Sequence, residues 1–227
     1  MKTSRGTLRS FAAGAGLVLV GVVALGAAQP AQAVPECNGF SEAFAAQVGY
    51  DTHVLPAGGG VYNFAANPNP DWVLGSGAVD DITTGGGGDM VCGRGGNDII
   101  NTNGGYDHAF GDAGDDTIDL GSGLLDYGEG NGGLDDIDGG PGDNVIFGDG
   151  QQPKTNDDAD VIQGGPDHDE LYGGGGDDVV TGGQGDDELF GDVGADDLTG
   201  GPGNDSADGG VDVDVDACNA ETLVNCP

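Results

Sequence analysis

The apolar residues of this chain fall into two patterns. Near the N-terminus, Phe11 to Ala28 is an uncharged Ala/Gly/Val/Leu stretch, preceded by Lys2, Arg5 and Arg9 and followed by Ala31-Gln32-Ala33. A cationic start, an apolar middle and a small-residue site mark a secretory signal peptide, so residues 1–33 are expected to be removed on export. Further along, hydrophobic side chains mostly stand alone between polar neighbours. Ile82, Val91 and Ile100 are nine apart, with Ile118 two periods on; Ile137 and Ile146 are nine apart, as are Ile162, Leu171, Val180, Leu189 and Leu198. A polar-apolar-polar triplet predicts a three-residue strand with only its central side chain turned inward, so these residues form the expected core.

Between the triplets lie six residues rich in glycine and aspartate. From Gly173 the blocks read Gly-Gly-Gly-Gly-Asp-Asp-Val-Val-Thr, then Gly-Gly-Gln-Gly-Asp-Asp-Glu-Leu-Phe, and the shared form is G-G-x-G-x-D-x-U-x, with U apolar. Glycine supplies the positive-φ backbone and the close approach that such a turn needs. The aspartate of the form recurs at steps of nine through Asp71, Asp80, Asp89, Asp98, Asp107 and Asp116, and again through Asp160, Asp169, Asp178, Asp187, Asp196, Asp205 and Asp214. Asp135 lies between the two runs, as does Asn144, a neutral and weaker ligand in an aspartate position.

Over about residues 67–217 these blocks resemble the repeat-in-toxin, or haemolysin-type, calcium-binding nonapeptide. The resemblance implies an all-β fold, a parallel β-roll (β-solenoid) of about 18 residues per coil, with calcium ions in rows between the turns. The residue chemistry points the same way, because carboxylates and turn carbonyls are hard oxygen donors suited to calcium. If carboxylates two repeats apart share an ion, the regular runs hold about nine calcium ions. The expected ligands are Asp71, Asp80, Asp89, Asp98, Asp107, Asp116, Asp135, Asp160, Asp169, Asp178, Asp187, Asp196, Asp205 and Asp214. Two inward side chains per coil cannot offset the backbone entropy of ordering it, so folding is expected to be coupled to calcium. Extracellular modules bind calcium at about 10⁻⁴ to 10⁻³ M, which would keep such a chain folded outside a cell.

Composition alone reads differently. The chain has 50 glycines and 10 prolines, and from Val34 onward its 40 acidic residues face two basic ones, Arg94 and Lys154, for a net charge of −38. So acidic a chain, with about one residue in five Leu, Ile, Val or Phe, is ordinarily disordered; the nine-residue period makes that conditional on calcium. Two cations build no phosphate-binding patch, which excludes nucleic acid. No later segment is apolar enough to span a membrane. Cys37, Cys92, Cys218 and Cys226 suit two disulfides in an exported chain, with three pairings open; the simplest joins Cys218 to Cys226 and Cys37 to Cys92. A zinc site is disfavoured, since there is no Cys-x-x-Cys and no histidine at ligand spacing.

The expected organisation is a signal peptide (1–33), an N-terminal cap (34–66), the repeat roll (67–217) and a C-terminal disulfide cap (218–227). Within the cap, Glu42 to Val48 predicts helical turns and Val61 to Phe64 a first strand. The roll is irregular at 120–129, where Asp116 to Asp135 is a step of 19 and Asp126 is displaced by one, and at 148–159, which reads as a protruding loop. Arg94 and Asp167 replace repeat glycines. No catalytic constellation emerges: Gly-x-Ser-x-Gly and Gly-Lys-Ser/Thr are absent, and His53, His108 and His168 are scattered. Asp212-x-Asp214-x-Asp216 fails as an EF-hand, with Ala217 in place of glycine and Leu223 in place of the bidentate glutamate. The expectation is a secreted, non-enzymatic calcium-binding protein, structural or adhesive at a cell surface through calcium-bridged anionic glycans. The alternative is a calcium-dependent extracellular enzyme or accessory module acting on anionic polysaccharide. An ice-binding role would need a regular outward threonine row, which the mixed outward positions do not supply.

Overall fold

Each polar-apolar-polar triplet becomes a strand, and each Gly/Asp block the turn that carries the chain to the opposite side of a flattened coil. The computed structural model describes residues 36–150, 158–210 and 216–226; the signal-peptide reading and Asp214 lie outside them. The strands alternate between two parallel sheets. One has ten strands, from Asp51–Val54 to Thr222–Val224, and the other nine, from Gly60–Asn63 to Ala217–Asn219. Neighbours within a sheet are one coil apart: Val180 pairs with Ile162 and Leu198, and Leu189 with Leu171 and Ala207. The fold is therefore the parallel β-solenoid expected from the period.

The register stacks like positions, so the inward side chains form one continuous file between the sheets. All eleven expected core residues lie in it, none more than 1% exposed. Val73, Ala109, Leu120 and Ala207 join them. Positions 2 and 4 of most turns take positive φ, and Arg94 (φ 78°) and Asp167 (φ 86°) adopt it despite their side chains. The backbone course is thus set by the stacked coils rather than by glycine alone. At Gly194 (φ 148°) a Cβ would lie 1.6 Å from the Gly176 carbonyl oxygen of the preceding coil, so a side chain there would push the coils apart.

The roll is longer than the glycine repeats. Asp51–Val54 pairs with Asp71–Leu74, and Gly60–Asn63 with Asp80–Thr83, so a complete coil precedes residue 67. A strand ladder needs extended backbone and inward apolar groups, and Leu55, Tyr62 and Phe64 supply the apolar groups without the Gly/Asp nonapeptide pattern. The part that stands outside the coils is a short antiparallel pair, Glu36–Cys37 with Phe40–Ser41, and the helix Glu42–Val48. Ser41 caps the helix by accepting the Phe44 N–H at 3.3 Å, and Gly49 closes it in the left-handed region. This segment lies against the outer side of the ten-stranded sheet, where Cys37 and Ala45 close a second apolar cluster with Trp72, Leu74, Met90, Cys92 and Phe110.

Cys37 is bonded to Cys92, and Cys218 to Cys226. At the C-terminus, Ala217–Asn219 and Thr222–Val224 continue the two sheets, so the second disulfide closes the final coil itself. The one-residue slip is absorbed before Asp126, where the chain bulges and leaves Leu124 88% exposed. The second irregularity makes one coil of 25 residues, seen in the Asp135 to Asp160 and Asn144 to Asp169 bonds. Of the stretch read as a loop, residues 151–157 lie outside those described.

Candidate metal centres

The sixth residue of each turn points inward, and its first carboxylate oxygen accepts the backbone N–H of the aspartate one coil earlier. Along one edge of the roll the bonds run Asp80 to Asp98, Asp116, Asp135, Asp160, Asp178, Asp196 and Asp216, at 2.6–3.1 Å. Along the other edge they run Asp71 to Asp89, Asp107, Asp126, Asn144, Asp169, Asp187 and Asp205, at 2.8–3.2 Å. Glu221 ends the second row by accepting the Asp205 N–H. At its start, where no earlier repeat exists, Asp71 is met by His53 Nε2 at 3.0 Å and Asn67 Nδ2 at 2.9 Å.

The second oxygen is the chemically telling one. In Asp98, Asp116, Asp126, Asp135, Asp160, Asp169, Asp178, Asp187 and Asp205, Oδ2 is buried and receives no hydrogen bond. A buried acceptor without a donor is costly, and a buried carboxylate more so. Apart from that of Asp126, which faces Gly123, each such oxygen lies over the first glycine of its own turn: a Cβ at Gly173 or Gly182 would be 2.4 Å from Oδ2 of Asp178 or Asp187. Only glycine leaves that space.

Burial pushes ten carboxyls of the two rows upward, with neighbouring carboxylates adding to it at most of them and the incoming N–H opposing it. Asp116 and Asp160 rise to about 8, Asp107, Asp169 and Asp178 to about 7, and Asp98 and Asp135 to about 6. Asp89, Asp126 and Asp187 rise for the same leading cause, burial. A cation in the turns would reverse this preference for the protonated form.

Asn144 shows what kind of partner the empty lone pair wants. Its Oδ1 accepts the Asp126 N–H at 3.2 Å, as the aspartates do for their own predecessors. Its Nδ2 then stands over Gly139, where the other turns hold Oδ2, and donates to the Gly140 carbonyl at 3.0 Å. In an aspartate turn the atom in that place is an oxygen, which when the carboxyl is ionised has no proton to give. Two oxygen acceptors turned to one spot are a fit for a hard cation such as calcium, which supplies the positive charge that the amide N–H supplies here. Among the described residues, no three His, Cys, Asp or Glu side chains converge as a metal cluster. Backbone carbonyls must therefore complete any ligand set.

Of the expected site residues, all except Asp214 occupy the two rows. Asp214 is outside the described residues, and Asp216 takes the next place after Asp196. Asp126, expected to be displaced, stands fully in its row. Counting 18 back from Asn144 reaches it; counting forward from Asp116 does not. Asp149 is also buried and accepts the Gly175 N–H at 2.9 Å. It stands at a glycine position of the repeat, so the pattern carries no signal for it. His53 is not an isolated surface histidine: it stacks on Phe64 at 3.9 Å and closes the start of a row.

A parallel β-roll whose turns present two files of buried carboxylates defines a class of protein, the calcium-binding solenoids. The family described as the RTX calcium-binding nonapeptide repeat matches in four copies, at residues 93–123, 126–152, 155–189 and 190–215, just over half of the chain. The chain belongs to this family and is a calcium-binding repeat protein. No curated protein matches it individually. Among the described residues, no helix is long and apolar enough to cross a membrane.

Proposed function

We propose that the protein is exported and, outside the cell, binds calcium in two rows of turns, a reaction that completes its own folding. The observation that carries this reading is the file of buried aspartates whose Oδ2 has no donor. The proposed ligands are Asp71, Asp89, Asp107, Asp126, Asp169, Asp187 and Asp205 in one row, and Asp80, Asp98, Asp116, Asp135, Asp160, Asp178, Asp196 and Asp216 in the other. Bonded carboxylate neighbours number five in the row that starts at Asp71 and seven in the row that starts at Asp80, so several ions, on the order of the nine expected from the regular runs, can be held. Export is supported by the leader and by two disulfides. The role is structural or adhesive rather than catalytic: the coils and their turns take up nearly all of the described chain. The acidic surface left after binding favours contacts to anionic glycans bridged through calcium.

Circular dichroism of the mature chain, titrated with calcium after EDTA and compared with magnesium, tests the coupling. β signal should grow with calcium and much less with magnesium; no gain with calcium would overturn the reading. Asp178, with a carboxylate neighbour on each side, should matter more than Asp126, whose next neighbour is Asn144. Asp178→Ala should raise the calcium midpoint about tenfold and Asp126→Ala by less, an order that equal effects would undo. Release of products from an anionic polysaccharide incubated with the calcium-loaded chain would replace the non-catalytic role with an enzymatic one.

A further inference from the structure

The second row contains one member that is not an acid, and its geometry differs from its neighbours by a single hydrogen bond. Asn144 is buried, accepts the Asp126 N–H through Oδ1, and donates Nδ2 to Gly140 O within its own turn. Its own backbone N–H is bound by Asp169 Oδ1 at 2.8 Å, so the rung is in register on both sides. A turn that is out of place would lose these bonds; this one keeps them and satisfies the spot internally. The amide is neutral, so the rung also lacks the charge that makes the neighbouring turns depend on a cation.

We propose that Asn144 is an ion-free rung: its amide N–H takes the place of a calcium ion, and the row divides there into two separate groups of ions. The N-terminal group belongs to Asp71, Asp89, Asp107 and Asp126, and the C-terminal group to Asp169, Asp187 and Asp205. Because a donor already fills the position, calcium would have to displace the Gly140 bond and would meet a neutral ligand instead of a carboxylate. The coil at Asn144 is consequently the part of this row that holds its turn when calcium is absent. The inference rests on the calcium reading above, since it concerns which turns of that row take an ion.

Native mass spectrometry of the calcium-loaded mature chain counts the ions directly, and circular dichroism confirms the fold of each variant. Asn144→Asp removes the amide donor and should bind one ion more than the natural chain. It should also need more calcium to reach the same β signal. An unchanged count in a folded Asn144→Asp protein would overturn the inference. The reverse substitution, Asp187→Asn, keeps the side-chain shape within a regular run. It should lose one ion while retaining more β signal at low calcium than Asp187→Ala; an undiminished count, or equal loss of signal in both variants, would overturn the inference even if Asn144→Asp failed to fold. A natural chain that binds no calcium at all would instead refute the calcium reading.

Discussion

The coils from Asp71 to Phe110 and those from Asp160 to Asp208 share one backbone course and one inward file of apolar side chains, but are held differently from outside. In the first group the outward residues Trp72, Leu74, Met90, Cys92 and Phe110 are covered by Cys37 and Ala45, so these strands are apolar on both faces. In the second group the outward faces carry Glu170, Glu188 and Asp208, relieved by a file of aromatic rings. Phe147 stacks on Tyr172 at 4.5 Å and Tyr172 on Phe190 at 4.6 Å, nearly parallel. Such pairs add about 0.5–1.5 kcal/mol each, against about 1.5–3 kcal/mol for each large side chain fully buried. The same repeat therefore rests on a second core at one end and on its turns at the other. Calcium should matter most where the second core is missing.

The largest test of that contrast is calcium removal. In EDTA, amide exchange should accelerate at least about tenfold more in Val161–Asp208 than in Trp72–Phe110. Uniform loss of protection along the roll would erase the distinction.

Acidification should move the same contrast the other way. Asp160, Asp169 and Asp178 lie at about 8, 7 and 7 in the metal-free roll, above their ordinary 3.8. Between those values the folded chain holds more protons than the unfolded one, so metal-free stability is highest at low pH and is lost as pH rises toward about 8. In EDTA, lowering the pH from 8 to about 5 should restore β signal and exchange protection to Val161–Asp208; a further loss there would contradict the burial of these carboxyls.

Trp72→Ala removes the largest member of the outer cluster. It should cost about 3–5 kcal/mol by denaturant unfolding in saturating calcium, while the number of bound ions stays the same. A changed ion count would mean that the two faces of the sheet are not independent. The smallest difference concerns the disulfides. The Cys37–Cys92 bond spans 55 residues and Cys218–Cys226 only 8, so breaking the longer one should cost about 2 kcal/mol more on loop entropy alone. Cys37→Ala with Cys92→Ala, compared with Cys218→Ala with Cys226→Ala, measures it; an equal cost would show that the outer cluster holds the N-terminal segment without its bond.

Where the nine-residue register is unbroken, strand, inward residue and turn carboxylate can each be read by counting. Ile162 through Leu198 and Asp160 through Asp205 are examples. The count fails where a residue is inserted, as at Asp126, because a register carried forward from one side is off by one until it meets the other. It also fails where a coil forms without the Gly/Asp nonapeptide. Asp51–Val54 and Gly60–Asn63 join the sheets because a neighbouring strand offers a ladder, which is a property of the neighbour rather than of their own composition. The outer cluster was hidden for a similar reason: outward positions look variable along the chain, and only the stacking of coils puts Trp72, Met90 and Cys92 beside Cys37 and Ala45.

From the sequence alone, then, come the repeat, the parallel solenoid, the inward file and most members of the two buried aspartate rows, because all of these are periodic and local. The tertiary structure decided what a period cannot express. It placed Asp126 and Asp216 in the rows, set His53 against Asp71, and showed that Oδ2 of aspartates such as Asp160, Asp178 and Asp187 is buried without a donor while the Asn144 amide satisfies itself. Those are facts about distances between coils, and two atoms 18 or 25 residues apart become neighbours only when the coils close on one another.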